Sequence, residues 1–223
     1  MKLVFSKSDR TFEIEKANLN TIIIENETLL ENVSDELYLL TNKIEDSIFI
    51  FDNGEKIELN KILKWIHSPY LIDISKKDTQ KQLLKDIIGQ ETNRDSLYVI
   101  KEYADKIIEE IDNIGLKSDY QFEYKIDSEI EGLLKLFDVQ IKNDEGTFIE
   151  RLTDFIHAYY SLIGIKVFII SNCLGFLDLT AQKELQKLAQ YLEITIILID
   201  YYDKPIELNT YKTIIDHDLC EIH

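Results

Sequence analysis

Four consecutive apolar residues, Val167-Phe168-Ile169-Ile170, stand between a Gly164-punctuated charged turn and Ser171-Asn172. A run this short, made of Val, Ile and Phe, predicts a strand buried on both faces and hence the centre of a sheet. Before it, Phe148, Leu152, Phe155, Ile156, Tyr159 and Ile163 keep helical spacing; after it, Ala181, Leu185, Leu188, Ala189 and Leu192 do the same. Thr195–Ile199 is the next apolar run. Helix, strand, helix, strand in this order predicts an α/β fold with parallel strands and crossover helices.

The chain begins in the same manner. Lys2–Phe5 and Phe12–Ile14 flank a polar stretch and predict a hairpin, Thr21–Ile24 a buried strand, and Leu29, Leu30, Val33, Leu37 and Leu40 a helix with Thr28 as its cap. Ile48–Phe51 and Lys56–Leu59 read as strands joined at Asp52-Asn53-Gly54. From Lys61 the pattern turns helical. A capping box at Ser75 and Asp78 opens a helix ending at Gly89, a longer one runs from about Asp95 to Gly115, and a third from Ser128 to Phe137. A strand at Val139–Ile141 follows, then a capping box, Thr147 with Glu150, and further strands at Ile206–Leu208 and Thr213–Ile215. The division expected is therefore α/β over 1–60, helical over 61–137, and α/β again over 138–223.

A length of 223 residues at 45% hydrophobic content suffices for a full core. The opening Met-Lys-Leu-Val-Phe is too short for a signal peptide and no run of about 18 apolar residues occurs, so the cytoplasm is the expected location. Cys173 and Cys220 lack metal-ligand spacing and are expected to be reduced thiols. A net charge of −17 excludes a protein that coats nucleic acid over its whole surface. Residues 61–85 oppose that charge: Lys61, Lys64, Lys76, Lys77, Lys81 and Lys85 against Asp73 and Asp78 give +4, leaving −21 elsewhere.

Catalytic signatures are missing. The strand–helix junction at Glu25-Asn26-Glu27 carries two carboxylates where a phosphate loop needs Gly and Lys, and the seven glycines lie too far apart for GxGxxG or GxxxxGK. Ser171-Asn172 stands where an NTPase would place a metal-binding Asp. GxSxG and HExxH are absent, His67, His157, His217 and His223 are scattered, and Asp216-His217-Asp218 reads as a polar turn before a metal site. Two features remain. Lys77, Lys81 and Lys85 form one helical stripe, able to track a phosphate backbone or simply to keep that face solvated. Asp119, Glu123, Asp127 and Glu129 offer hard oxygen ligands suited to Ca²⁺, or are ordinary surface carboxylates.

The ordered set Leu133-Leu-Lys-Leu-Phe-Asp-Val-Gln-Ile141, Thr147-Phe-Ile-Glu150, Lys166-Val-Phe-Ile-Ile-Ser-Asn172, Leu177-Asp-Leu-Thr180 and Thr195–Asp200 resembles the Csn-two family of type II-A CRISPR spacer acquisition. Phe12–Ala17 and Thr21–Asn26 resemble that family's opening. The resemblance implies an α/β head related to P-loop NTPases but without the phosphate loop, an inserted helical leg, and a homotetrameric ring. It implies binding of double-stranded DNA ends by inner-rim lysines, for which Lys61, Lys64, Lys77, Lys81 and Lys85 are the candidates. It further implies structural Ca²⁺, no catalysis, and work beside the CRISPR integrase proteins and effector nuclease. Two rival readings stand beside it: a degenerate NTPase-like nucleotide binder, and an interaction scaffold without DNA affinity.

Overall fold

The computed structural model describes residues 1–68, 72–74, 77–118, 129–142, 146–204 and 211–222. It divides into two compact units, Met1–Asp73 with Asp144–His223, and Ile74–Asn143.

The first unit holds two sheets. Strands β1 (Lys2–Phe5), β2 (Arg10–Glu13), β4 (Ile48–Asp52) and β5 (Glu55–Ile57) form an antiparallel sheet in the order β2-β1-β4-β5. Both hairpins expected from the sequence are present. Six further strands make the larger sheet: β3 (Leu19–Ile24), β6 (Leu63–Ile66), β7 (Val167–Ser171), β8 (Thr195–Asp200), β9 (Tyr211–Ile215) and β10 (Glu221–Ile222), in the order β10-β9-β3-β8-β7-β6. All its pairings are parallel except β9 with β10.

Every residue of β7 is buried, as the Val167–Ile170 run predicts. The middle of the sheet, however, belongs to β3 and β8. Among the described strands β7 has only β6 beyond it, and β6 lies in the stretch expected to be helical. Its sequence, Leu63-Lys64-Trp65-Ile66, hides the strand because Lys64 interrupts the apolar run; parallel pairing with β7 supplies the hydrogen bonds, and the Lys64 ammonium rests 4.3 Å from the Tyr159 ring centroid.

Helix α1 (Glu27–Thr41) lays Leu29, Val33, Leu37 and Leu40 into one core with Phe5, Ile48 and Ile50 of the small sheet and Ile22, Ile24, Ile169 and Ile197 of the large one. Its cap is Asn26, two residues before the expected Thr28, with Asn26 Oδ1 accepting from Leu29 N–H at 2.9 Å. Glu36 on this helix is 1% exposed, and its carboxylate accepts from Ser8 N–H at 2.8 Å, Ser8 Oγ at 2.6 Å and Lys7 N–H at 3.3 Å, tying down the β1–β2 turn. The remaining helices of this unit are α5 (Phe148–Ala158), extended by a π-helical turn over Tyr159–Ile163, and α6 (Leu179–Tyr191). α6 packs on β8 and β3 with α5 beside it, and α5 opens with the expected Thr147–Glu150 capping box.

In the second unit, α2 (Lys77–Gly89), α3 (Arg94–Lys117) and α4 (Ile130–Leu136) follow the helical spacing, and α4 packs against both of the others. The strand expected at Val139–Ile141 is not formed. Asp138 takes φ +49°, its N–H bonds to the Lys135 carbonyl, and Val139 N–H returns to the Leu134 carbonyl, the paired closure of a Schellman cap. Ser75, and the expected strand at 206–208, lie outside the described residues.

Candidate nucleic-acid interface

Open parallel sheets bind nucleotides at the carboxyl ends of their strands, so these ends decide whether phosphate can be held there. After β3 the chain turns into α1 through Glu25-Asn26, with Glu27 in the first helical turn. Besides capping the helix, Asn26 donates its amide to the His217 carbonyl at 2.9 Å. The Tyr201 hydroxyl faces Glu27 Oε1 at 3.4 Å, and burial followed by the Glu27 charge raises its pKa. A phosphate here would meet carboxylates.

Beyond β7 the amide donors are already used. Cys173 and Leu174 N–H groups donate to one Asp200 oxygen at 3.0 and 2.9 Å, and Trp65 Nε1–H donates to Ser171 Oγ at 2.9 Å. Burial raises the Asp200 carboxyl pKa against the pull of these two amides, and burial together with Asp200 pushes the Cys173 thiol far up. Such a thiol is no nucleophile. The Asp216-His217-Asp218 stretch is a turn, as the sequence suggests: Asp216 Oδ1 accepts from Asp218 N–H at 3.0 Å and Cys220 N–H at 2.8 Å.

The cations fall in two places. Lys61 ends a short 3₁₀ turn in the first unit, exposed, and lines a cavity of about 300 Å³ with Lys56, Asp46 and Glu58. Lys64 lies in β6 of the same unit, half-buried against Tyr159. Lys77, Lys81 and Lys85 belong to the second unit, where all three are exposed on α2 while Thr79 and Leu84 turn inward. At 1.5 Å rise per residue they stand roughly 6 Å apart, about 12 Å from first to last. The helix also carries Asp78 and Asp86; Asp78, three residues before Lys81, lies on the same side of α2 and offsets part of the charge of the three lysines.

A further charged pair lies on α4, which packs against α2. Glu131, on α4, pairs with Lys135 at 2.7 Å; hydrogen bonding and charge from Lys135, then the charges of Lys81 and Lys85, hold its carboxyl below the ordinary range. Neither Glu131 nor Lys135 stands out in the sequence as more than an i,i+4 surface pair. Their nearness to α2 is set by helix packing.

Residues 41–219 match the model of the family described as CRISPR-associated protein (Cas_Csn2). The chain belongs to this Csn2 family. Among solved structures it is similar to Stu0660 of Streptococcus thermophilus, with a TM-score of 0.62 at 16% identity over 97% of this chain and 74% of that one, which shows a shared fold. It also aligns with CbiO1 of Clostridium perfringens, part of the ABC transporter complex cbiONQ, at a TM-score of 0.43 and 15% identity, over 87% of this chain and 71% of that one. No curated protein matches in sequence.

For a Csn2-family chain the acidic stretch asks for a test of calcium. Asp119, Glu123 and Asp127 lie outside the described residues. Glu129 is the residue before α4, exposed at an extended φ of −68° and ψ of 147°. Among the described residues no three His, Cys, Asp or Glu side chains gather as a metal site, and one carboxylate falls short of the six to eight oxygens Ca²⁺ takes. No helix among them is long and apolar enough to cross a membrane.

Proposed function

We propose that this chain is a non-catalytic, cytoplasmic protein of CRISPR spacer acquisition that binds the ends of double-stranded DNA as a homotetrameric ring. In this reading it serves beside the integrase proteins and effector nuclease of its module. The first unit is then a P-loop-NTPase-like head without the phosphate loop, and the second a helical leg. The observation that carries the reading is the exposed stripe Lys77, Lys81 and Lys85 in a family member whose net charge is −17. In so acidic a chain phosphate contact has to be local. Self-assembly is supported by large apolar side chains left exposed on the second unit, with Ile107 at 60%, Leu136 at 75% and Phe137 at 74%. The nucleotide-binding alternative has against it the carboxylates of Glu25 and Glu27 at the β3–α1 junction.

A ring threads only onto an end. Gel shifts should therefore retain linear duplex and release covalently closed circles, while a mass measurement in solution reports an assembly larger than a dimer. Equal affinity for the two topologies would remove the threading element and leave a groove binder.

Calcium enters this proposal through the acidic stretch alone. Chelation is expected to lower the thermal midpoint, since a ligand of the folded state stabilises it, and Glu123→Gln should shrink that drop. Identical midpoints in calcium and in chelator would leave Asp119, Glu123, Asp127 and Glu129 as surface carboxylates.

A further inference from the structure

The small sheet of the first unit ends unevenly at β5. There β4 pairs Asp52 with Glu55 and Ile50 with Ile57, and past Ile57 the chain leaves the sheet for the 3₁₀ turn at Leu59–Lys61. On its other side β4 pairs Phe51 with Lys2 and Phe49 with Val4, and two places further Ser6 N–H donates to the Ser47 carbonyl at 2.9 Å. Antiparallel neighbours exchange ladder hydrogen bonds at every second position. Ser47, Phe49 and Phe51 therefore bond toward β1, while Ile48, Ile50 and Asp52 face the β5 side. Ile50 and Asp52 meet β5; the N–H and C=O of Ile48 find no backbone partner among the described residues. Ile48 is 2% exposed, and unpaired backbone groups are rare at such burial.

The cavity of about 300 Å³ lies at this gap, with Ile48 in its wall. Leu40 and Leu59, both buried, and half-buried Ile57 make its inner side apolar. On the outer face of the sheet the Lys56 ammonium rests 3.8 Å from the Phe49 ring centroid. Asp46, Glu58, Lys56 and Lys61 stand exposed around the opening, two of each sign, and among the described residues no ion pair joins any two of them.

We propose that this gap takes an extended peptide segment of another protein, added to the sheet beside β4 where β5 stops. The residue placed opposite Ile48 exchanges both backbone hydrogen bonds with it, and the side chains of such a pair share one face. That side chain enters the cavity toward Leu40 and Leu59, so the chemistry that fits is an aliphatic or aromatic anchor. Its two neighbours turn to the outer face, toward Phe49 and Lys56. A nucleic-acid strand has no amide to offer Ile48 and would meet Asp46 and Glu58; a peptide supplies one N–H, one C=O and charges of either sign. Such docking is independent of the proposed DNA contact, which lies in the second unit.

The test selects octapeptides from a random phage-displayed library against the full chain, then measures synthetic copies of the selected peptides by fluorescence anisotropy. Enriched sequences should share one aliphatic or aromatic anchor, and Ala in its place should weaken binding about 10- to 100-fold. N-methylation of the anchor amide, the donor to the Ile48 carbonyl, should cost about tenfold. The same methyl on either neighbouring amide, which points away from β4, should be tolerated. Ile57→Trp, which fills the cavity, should weaken binding as much as Ala at the anchor does, with circular dichroism confirming its fold and the mass of the assembly unchanged.

No enriched peptide, equal N-methyl effects at three successive amides, or full affinity in a folded Ile57→Trp chain overturns the proposal. A loss of mass in that variant overturns it as well, by assigning the gap to a second copy of the chain. The N-methyl series uses the wild-type chain, so it decides the outcome even where Ile57→Trp fails to fold.

Discussion

Phe168→Ala should lower the stability of the first unit by about 4 kcal/mol, the middle of the range for deleting a fully enclosed Phe. Phe168 is 0% exposed on β7, which is paired in parallel on both sides, by β6 and β8. The paired strands hold its backbone in place, so the surroundings can collapse little into the space left behind. For a protein of this size each kcal/mol moves the thermal midpoint by roughly 2–4 °C, giving an expected drop of about 8–16 °C. Lys183→Ala, on the exposed side of α6, is the control and should stay within about 0.5 kcal/mol. A Phe168 variant melting with that control would mean that β7 is not the packed interior strand described here.

The same strand shows what its sequence reveals and what it conceals. Burial on both faces keeps most positions of β3, β7 and β8 apolar, Asn20 and Asp200 being exceptions at their ends, so continuous runs such as Thr21–Ile24, Val167–Ile170 and Thr195–Ile199 declare themselves. Strand order does not. β7 sits one place from the edge because β3, β9 and β10 all extend the other side, and no local pattern encodes that. β6 is concealed more thoroughly: it is half-buried, and Lys64, its ammonium over the Tyr159 ring, interrupts the apolar run. At Asp138 an ordinary residue takes the left-handed conformation that a Gly usually signals, so a helix cap was expected to be a strand. Glu36 is a carboxylate on the apolar side of α1, buried because two amides and a hydroxyl from the β1–β2 turn meet it there. The site divides in the same way: the i, i+4 recurrence of Lys77, Lys81 and Lys85 is legible in one helix, whereas the approach of Glu131 and Lys135 depends on how two helices pack.

Changing Lys77, Lys81 and Lys85 together to Gln should weaken binding to linear duplex by about 500-fold at 0.1 M salt for each subunit whose stripe touches the duplex. The figure follows from counterion release: each phosphate contact contributes about 0.9 to the slope of log affinity against log salt, so three contribute about 2.7 decades between 1 M and 0.1 M. Gln is nearly as good a helix former as Lys, and all three positions are exposed, so α2 should persist and the thermal midpoint should hardly move. The loss should be the same for every DNA sequence, because backbone contacts orient a protein without distinguishing bases. Affinity and slope have to fall together. Weaker binding at the wild-type slope would mean that the stripe acts through assembly, which the mass of the variant in solution would register. Wild-type affinity and wild-type slope would move the phosphate contacts off α2, to the first unit, where Lys61 and Lys64 are the cations to change next.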